Sequence, residues 1–314
     1  MRAIDNILQA IGSTDLIELH RVVPEGSARI LLKMEGQNPT GSMKDRMALA
    51  MVEAAEKDGR LKPKGTVVEY TGGSTGVSLS LVCAVKGYPL EIVTSDAFSQ
   101  EKRDHMESLG ARLTLIQSDS GGMTGQLTRD MIAAADKIAA RPGSFWTDQL
   151  NNIAPLACYS TMADEIWEQT GGEISAFVQS VGTGGSLRGV GSRLRNLGSK
   201  TRVICVEPTE SAVLSGKSPG SHKIEGVGAG FVVPLWSEDV ADEIIRVSTE
   251  EAMAMARRLA RQEGLFAGTS TGANVVASLA LAARLGPEAT IVSVMCDSGL
   301  KYLSTPLYKQ TDPA

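Results

Sequence analysis

Three short loops rich in glycine, serine and threonine recur along the chain, together with one lysine near the start of a predicted helix. The loops span residues 71–76, 182–186 and 268–272, and the lysine is Lys44. Such loops expose backbone N–H groups, and where they lead into a helix they add the positive end of its dipole. The pattern predicts a site for a small molecule that carries several negative charges and reacts with an amine.

Pyridoxal phosphate joined to an amino acid is a molecule of this kind, because it carries a phosphate, a carboxylate, a ring nitrogen and an aldehyde. Lys44 would supply the amine. A cation is unfavourable at a helix N-terminus, so this placement should lower the pKa of Lys44 and favour the neutral nucleophile. Taken alone, Lys44 reads more simply as a solvated surface lysine; the three loops favour the reactive interpretation.

The helix that carries Lys44 has recognisable ends. Ser42 followed by Asp45 fits a capping box, and Gly59 fits a stop signal. Apolar residues at positions 47, 48, 51, 52 and 55 predict one buried face.

Each of the three loops is expected to join an apolar strand to a helix. The strands predicted before them are 66–70, 176–181 and 265–267, and further strands are predicted at 90–94, 111–116, 202–206 and 290–295. Strands separated by helices form right-handed βαβ units, which predicts an α/β fold with parallel sheets.

Composition excludes several classes of protein. With 314 residues, 42% hydrophobic residues and a net charge of −5, the chain resembles an ordinary globular protein and lacks a basic footprint for nucleic acid. No apolar run reaches the roughly 20 residues that span a bilayer, and the N-terminal stretch lacks a signal peptide's apolar region. The four cysteines are widely spaced, so we expect a reduced, cytoplasmic protein without a metal site.

The order of motifs NPTGSMKDR, TGGSTGV, VGTGGSL, GVGAGF, GTSTGA and DSGLKYLSTPL closely resembles the cysteine synthase (O-acetylserine sulfhydrylase) and cystathionine β-synthase family of fold-type-II pyridoxal phosphate enzymes. The likeness covers nearly the whole chain. It implies a two-lobed α/β fold like that of the tryptophan synthase β-subunit, in which each lobe is a mostly parallel sheet flanked by helices. Residues 46–150 would form a smaller, mobile lobe that clamps the substrate, and residues 1–45 with 151–314 a larger lobe that binds the cofactor.

The resemblance also assigns roles to residues. Lys44 resembles the lysine that forms a Schiff base with the cofactor and moves the α-proton. The other residues implied to bind pyridoxal 5'-phosphate are Ser74, Gly182, Thr183, Gly184, Gly185, Ser186 and Ser270, the last at the ring nitrogen. The residues implied to bind the amino-acid substrate are Thr71, Gly72, Thr75, Gln149 and Gly226.

The implied reaction is a β-replacement: an O-activated serine loses its leaving group, and sulfide or a thiol adds to the resulting aminoacrylate to give cysteine or a relative. The resemblance further implies a homodimer and allows a serine acetyltransferase tail as a partner. Two alternatives stay open. One is a β-lyase resembling cysteine desulfhydrase, and the other is a binding or regulatory homologue with impaired catalysis.

Several positions depart from the family pattern. The substrate loop usually reads TSGNTG, whereas Gly72 and Ser74 here replace its serine and asparagine. Glu225 stands where glutamine is common and Cys296 where proline is common. The first two changes leave open a changed substrate or reaction, and Glu225 could repel an anionic co-substrate or simply be exposed. Cys296 has no evident histidine partner, so a buried structural role is expected.

Overall fold

The computed structural model describes residues 3–119, 121–122, 124–198 and 200–309. Within them, strands and helices alternate along most of the chain. The strands are β1 (Leu16–Glu18), β2 (Arg29–Lys33), β3 (Thr66–Tyr70), β4 (Leu90–Ser95), β5 (Arg112–Ile116), β6 (Ser144–Trp146), β7 (Ala176–Ser180), β8 (Arg202–Pro208), β9 (Glu243–Val247) and β10 (Thr290–Val294).

The helices are α1 (Lys44–Asp58), α2 (Ser74–Lys86), α3 (Gln100–Ser108), α4 (Gly125–Ala139), α5 (Ala154–Thr170), α6 (Gly185–Asn196), α7 (Thr249–Arg258), α8 (Thr269–Leu285) and α9 (Pro306–Lys309). A π-helical turn, Leu259–Glu263, continues α7. Short 3-10 turns occupy Ile7–Ala10, Glu35–Gln37, Thr209–Ser211, Glu238–Val240 and Gly299–Tyr302. No helix among the described residues is long and apolar enough to cross a membrane.

The strands form two sheets. One has the order β1-β2-β10-β7-β8-β9, in which only the β1–β2 pair is antiparallel, and the other is fully parallel with the order β5-β4-β3-β6. The predicted α/β fold with mostly parallel sheets flanked by helices is therefore confirmed.

The larger sheet is buried on both faces. Along β7, Phe177 packs into one apolar cluster while its neighbours Ala176 and Val178 pack into the other. Helices that cover both faces of a parallel sheet produce such continuous apolar strands. The cluster around Phe177 also includes the core of the smaller sheet, so apolar packing connects the two sheets.

The helix that begins at Lys44 is confirmed, but its predicted cap is wrong. The apolar face at 47, 48, 51, 52 and 55 is fully buried, and Gly59 ends the helix in a left-handed conformation. However, the Ser42 hydroxyl accepts from the Lys44 backbone N–H (3.2 Å) and the Asp45 N–H donates to the Ser42 carbonyl (3.2 Å), so the predicted capping box does not form. Asp45 instead accepts hydrogen bonds from the Thr40 backbone N–H (2.8 Å) and from the Ser78 hydroxyl (2.6 Å), because tertiary partners outcompete the local bond to Ser42.

The strand predicted at 265–267 is also wrong. Ala267 makes only an isolated bridge to Ser298, so the third loop enters α8 from irregular chain. The other two loops follow β3 and β7, as predicted.

A buried ion cluster ties the N-terminal region to α5. Arg46 pairs with Glu35 (2.8 Å) and with Glu165 (2.7 Å), and Lys33 also reaches Glu165 (2.7 Å). Burial opposes the charge on Glu165, but hydrogen bonds and attraction from Arg46 and Lys33 lower its pKa to about 2. Removing one member would leave a buried charge without compensation.

We expect this ion cluster to make the free energy of unfolding depend on pH in the acidic range. The folded pKa of Glu165 lies below the ordinary value of 4.5, so its contribution is present above pH 4.5 and is lost as the pH falls toward 2. Between pH 5 and pH 3 the loss is about 2 kcal/mol, measured as the change in the free energy of urea unfolding. Glu165→Gln should flatten this slope, whereas Glu168→Gln, exposed on the same helix, should not; equal slopes would contradict the assignment.

Candidate active site

Loops at the carboxyl ends of parallel strands from both sheets meet at one cavity. Residues 71–73 follow β3, residues 147–150 follow β6, residues 181–184 follow β7 and residues 295–298 follow β10. Members of all four segments line the cavity. Open α/β sheets bind ligands at this edge, so the topology marks the cavity as the functional site.

The cavity gathers nearly all residues singled out from the sequence. Of the cofactor set, it is lined by Lys44, Ser74, Gly182, Thr183, Ser186 and Ser270. Of the substrate set, it is lined by Thr71, Gly72, Thr75, Gln149 and Gly226. Gly184 and Gly185 belong to the same loop but are not part of the cavity lining, and a Cβ added at either would contact Leu235. Four segments distant in sequence thus meet around one amine.

Lys44 is the first residue of α1, half-buried with its side chain in the cavity wall. Burial is the main cause that lowers its pKa, and the Lys102 charge adds to it, while Cys296 and Asp297 act in the opposite direction. The direction agrees with the prediction, and desolvation is the largest cause of the shift. A neutral amine is the nucleophilic form.

The loop after β3 is held against the loop after β6 by direct hydrogen bonds. The Thr75 hydroxyl donates to Gln149 Oε1 (2.8 Å), and Gln149 Nε2 donates to the Tyr70 carbonyl (2.6 Å). Buried Glu69 accepts from the Gln149 backbone N–H (3.0 Å) and from the Thr147 hydroxyl (2.5 Å). The N-terminus of α2 and the side chains of Thr75 and Gln149 therefore face the cavity in a fixed arrangement.

Ser74 joins the two sides of the cavity. Its hydroxyl donates to Asp297 Oδ2 (3.0 Å), and the Tyr302 hydroxyl donates to the same oxygen (2.8 Å). Asp297 follows β10 of the larger sheet, whereas Ser74 begins α2 beside the smaller one. The shorter side chain at position 74 thus bonds to protein across the cleft.

The space beside Gly72 is filled by the ring of Phe98, which belongs to another segment. A Cβ added at Gly72 would lie 2.8 Å from Cε1 of Phe98, which is buried. A second close approach occurs on the opposite wall, where a Cβ at Gly182 would overlap the Gly226 carbonyl. Glycine is required at both places because backbone and ring already occupy the space.

Comparison with known proteins agrees with this geometry. Residues 7–297 match the family described as "Pyridoxal-phosphate dependent enzyme". The chain is 41% identical over 313 residues to a cysteine synthase of Staphylococcus aureus, covering 99% of each protein. The chain belongs to the pyridoxal-phosphate dependent enzyme family.

Solved structures of relatives in this family superpose closely. An O-acetylserine sulfhydrylase (isoform 3) of Entamoeba histolytica is 39% identical, with a TM-score of 0.92 and coverage of 100% of this chain and 94% of that one. A hydrogen sulfide-producing enzyme of Fusobacterium nucleatum is 31% identical, with a TM-score of 0.88 and coverage of 96% and 99%. The chain is thus a fold-type-II enzyme that depends on pyridoxal 5'-phosphate, as the motifs predicted.

The cavity of this pyridoxal-phosphate dependent enzyme fits its cofactor. Within the described chain, three buried polar atoms of the wall, Gln179 Oε1, Ser180 Oγ and Asp297 Oδ1, have no hydrogen-bond partner. Buried polar atoms usually require one, so they indicate a polar ligand. The N-terminus of α6 offers N–H groups to an anion, and Lys44 offers the amine.

Among the cavity residues that escaped the sequence analysis are Phe98, Lys102 and Asp297. Asp297 lies two residues after a predicted strand, so the rule that sites lie at carboxyl ends could have found it. Phe98 and Lys102 lie near the start of α3, which reads as a polar surface helix. Phe98 packs against Gly72 of the loop after β3, and Lys102 pairs with Glu225, 123 positions away, and no local pattern reveals either contact.

We expect Gly72→Ala to weaken binding of the amino-acid substrate, because the new methyl group meets the Phe98 ring and displaces the loop. Overpacking of this kind costs about 1–3 kcal/mol, which corresponds to a rise in KM of roughly tenfold or more. Gly72→Ala/Phe98→Leu should recover most of the loss by freeing space. Steady-state kinetics of both variants check this; a double variant as impaired as the single one would contradict it.

We also predict that the substrate KM depends on pH through Glu69. Burial raises the pKa of Glu69 to about 7, against the hydrogen bonds that Thr147 and two backbone N–H groups donate to it. Below this pH the carboxyl group gains a proton and loses an acceptor for the donors that position Gln149. The substrate KM should therefore rise by about tenfold as the pH falls below 7.

Glu69→Gln should remove this pH dependence and leave KM raised throughout. Glu91→Gln, which alters a carboxylate on neighbouring β4 that pairs with Arg141 near the surface, should keep it. The measurement is KM for the amino-acid substrate from pH 5.5 to pH 8.5, in the wild type and in both variants. If the wild-type and Glu69→Gln profiles coincide, Glu69 does not set the dependence.

Proposed function

We propose that this enzyme catalyses β-replacement on an O-activated serine, with sulfide or a thiol as the nucleophile, to give cysteine or a relative. The observation that carries the proposal is the meeting of Lys44 with three loops rich in glycine, serine and threonine in one cavity, in a chain 41% identical to a cysteine synthase. O-acetylserine is the first substrate to test, because it is named in the relative from Entamoeba histolytica.

The loop after β7 is proposed to hold the cofactor phosphate. Backbone N–H groups of Gly182, Gly184 and Gly185 and the hydroxyls of Thr183 and Ser186 would surround it at the N-terminus of α6. Ser186 is already oriented, because its hydroxyl accepts a hydrogen bond of 2.8 Å from Gln179. The helix dipole favours the phosphate charge without a basic side chain.

The loop after β3 is proposed to hold the substrate carboxylate. It offers backbone N–H groups at the start of α2 together with the hydroxyls of Thr71 and Thr75. Gln149 supports Thr75 by the hydrogen bond described above. Gly226 would border the amino end of the substrate.

Bound pyridoxal phosphate supplies an aldehyde that links to amines and a ring that withdraws electrons from the α-carbon. Lys44 would hold the cofactor and, when displaced, take the α-proton as a neutral amine. Ser270, at the start of α8, would face the ring nitrogen. A serine stabilises a protonated ring less than a carboxylate does, which favours elimination of a leaving group over transamination.

The test combines trapping with product analysis. Borohydride reduction of the holoenzyme should attach the cofactor to the peptide that contains Lys44. O-acetylserine with sulfide should give cysteine at a rate that Lys44→Ala lowers by roughly 10³-fold or more. Lys57→Ala, exposed on the same helix, serves as the matched control. An unlabelled peptide, or cysteine formation unaffected by Lys44→Ala, would refute the assignment.

A β-lyase is the second candidate, because a relative at 31% identity is named a hydrogen sulfide-producing enzyme. It would release the β-substituent of cysteine without a second substrate. Sulfide release from cysteine alone, faster than cysteine synthesis from O-acetylserine, would favour it. Cofactor spectra that respond to amino acids without any product would favour the impaired homologue.

We also propose that residues 46–150 form the smaller, mobile lobe that clamps the substrate. The four strands of the smaller sheet, from Thr66 to Trp146, support this division. The homodimer, the serine acetyltransferase tail and the cytoplasmic location stay predictions.

A further inference from the structure

A buried glutamine in the cavity wall contacts both parts of the chain that would hold the cofactor. Gln179 lies in β7, is 1% exposed and lines the same cavity as Lys44. Its Nε2 donates to the hydroxyl of Ser186, in the loop proposed to hold the phosphate, at 2.8 Å. The same nitrogen lies 3.6 Å from the sulfur of Met43, the residue before Lys44. One amide group therefore links the phosphate loop to the segment that carries the reactive amine.

Protein contacts satisfy only part of this amide. Both of its N–H bonds have an acceptor, but Gln179 Oε1 is buried and receives no hydrogen bond within the described part of the chain. Its neighbours along β7, Phe177 and Val178, are apolar core residues. A polar side chain in such a strand is costly unless a partner compensates for its burial. A bound polar group therefore explains glutamine at this position better than packing does.

The hydrogen bond from Gln179 fixes the direction in which Ser186 can donate. A hydroxyl group has one hydrogen and two acceptor positions. Because Gln179 Nε2 already donates to the oxygen, the Ser186 hydrogen has to point elsewhere, and no acceptor for it lies among the described residues. A hydroxyl that accepts one hydrogen bond also becomes a stronger donor. The N-terminus of α6, where an anion is favoured, thus carries a polarised donor with a fixed direction.

We propose that Gln179 is a positioning residue for the cofactor phosphate, which acts through Ser186 and makes the site prefer pyridoxal phosphate over unphosphorylated pyridoxal. The inference rests on the proposed placement of the phosphate at the loop after β7. A neutral amide suits this role, because it keeps the Ser186 hydrogen available to the phosphate and adds no charge. A carboxylate at position 179 would accept that hydrogen itself and would repel the phosphate.

A purely structural role makes a different prediction. If the Gln179 amide only fastened β7 to α6 and to the segment before Lys44, its loss would weaken the binding of every form of the cofactor. It would also lower the melting temperature of the apoenzyme. A residue that positions the phosphate donor affects only ligands that carry a phosphate. Pyridoxal has the same ring and aldehyde without the phosphate, so it separates the two roles.

The experiment measures the dissociation constants of pyridoxal phosphate and of pyridoxal on the full-length apoenzyme, obtained by removing the cofactor from the holoenzyme. Gln179→Met removes the donor and keeps the length of the side chain. We expect it to weaken binding of pyridoxal phosphate by roughly tenfold and that of pyridoxal by less than about threefold. Melting temperatures of the apoenzymes show whether the fold is kept. Gln126→Met, the same substitution at an exposed position of α4, is the matched control.

Ser186→Ala should give the same pattern as Gln179→Met, because both variants remove the directed donor. Gln179→Met/Ser186→Ala should bind pyridoxal phosphate about as well as the weaker of the two single variants. Two residues that act as one unit show this lack of additivity, whereas independent contacts would add their effects.

Gln179→Glu reverses the hydrogen bond while it keeps the shape of the side chain. Its carboxylate would accept from Ser186, so we expect pyridoxal phosphate to bind roughly a hundredfold more weakly at pH 8, with pyridoxal little changed. Protonation of the carboxyl group restores a donor, so the ratio between variant and wild type should fall as the pH is lowered to 5.5. Wild-type affinity in this variant would mean that the amide oxygen faces Ser186, which overturns the proposal.

The two ligands and the three single variants give distinguishable results. A loss confined to pyridoxal phosphate in the Gln179 variants supports the positioning role. An equal loss for both ligands, or no loss in either Gln179 variant, overturns it and leaves Gln179 as a structural link. An effect of Ser186→Ala without one of Gln179→Met refutes only the role of Gln179. If Ser186→Ala also leaves the preference for phosphate unchanged, the proposed phosphate contact of Ser186 fails, and the inference fails with it.

Discussion

The chemistry of this site depends on the burial of the Lys44 amine in the cavity wall. An ammonium group is costly to bury, so this placement lowers the pKa of Lys44 and favours the neutral form that can act as nucleophile and base. The charge of a second lysine in the same cavity, Lys102, lowers the pKa of Lys44 further. Lys102 is itself paired with Glu225 at 2.6 Å, so an ion pair and the Lys44 amine share one cavity.

Two mostly parallel sheets make this enclosure possible. Each supplies loops at the carboxyl ends of its strands, and α2 and α6 begin at those loops. Helix α8 is entered from irregular chain and starts at the same cavity. Helix N-termini attract anions through fixed backbone dipoles, which need no mobile basic side chains. The cavity can therefore bind phosphate and carboxylate while Lys44 remains the group that reacts. Apolar packing across the two sheets holds the loops in place.

Local signals in the sequence predicted six of the strands (β3, β4, β5, β7, β8 and β10), the loops and the helix of Lys44, because each depends on neighbours a few residues away. The Ser42–Asp45 cap failed since Asp45 found its partners at Thr40 and Ser78, and the second of these belongs to another helix. Motif resemblance predicted which loops meet, which spacing alone could not. Neither signal predicted the Lys102–Glu225 pair, whose members are 123 positions apart and read individually as surface charges.

The altered substrate loop shows how such distant contacts change a local motif. Gly72 lacks a side chain where Phe98 fills the space, and Ser74 turns its hydroxyl to Asp297 on the opposite side of the cavity. Both changes move interactions from ligand to protein, yet the N-terminus of α2 and the Thr75 contact remain. Under the proposed function, carboxylate binding by this loop would then rest on backbone N–H groups and Thr75. The residue at position 74 instead joins the two sides of the cavity, which ties this loop to the wall that carries Asp297.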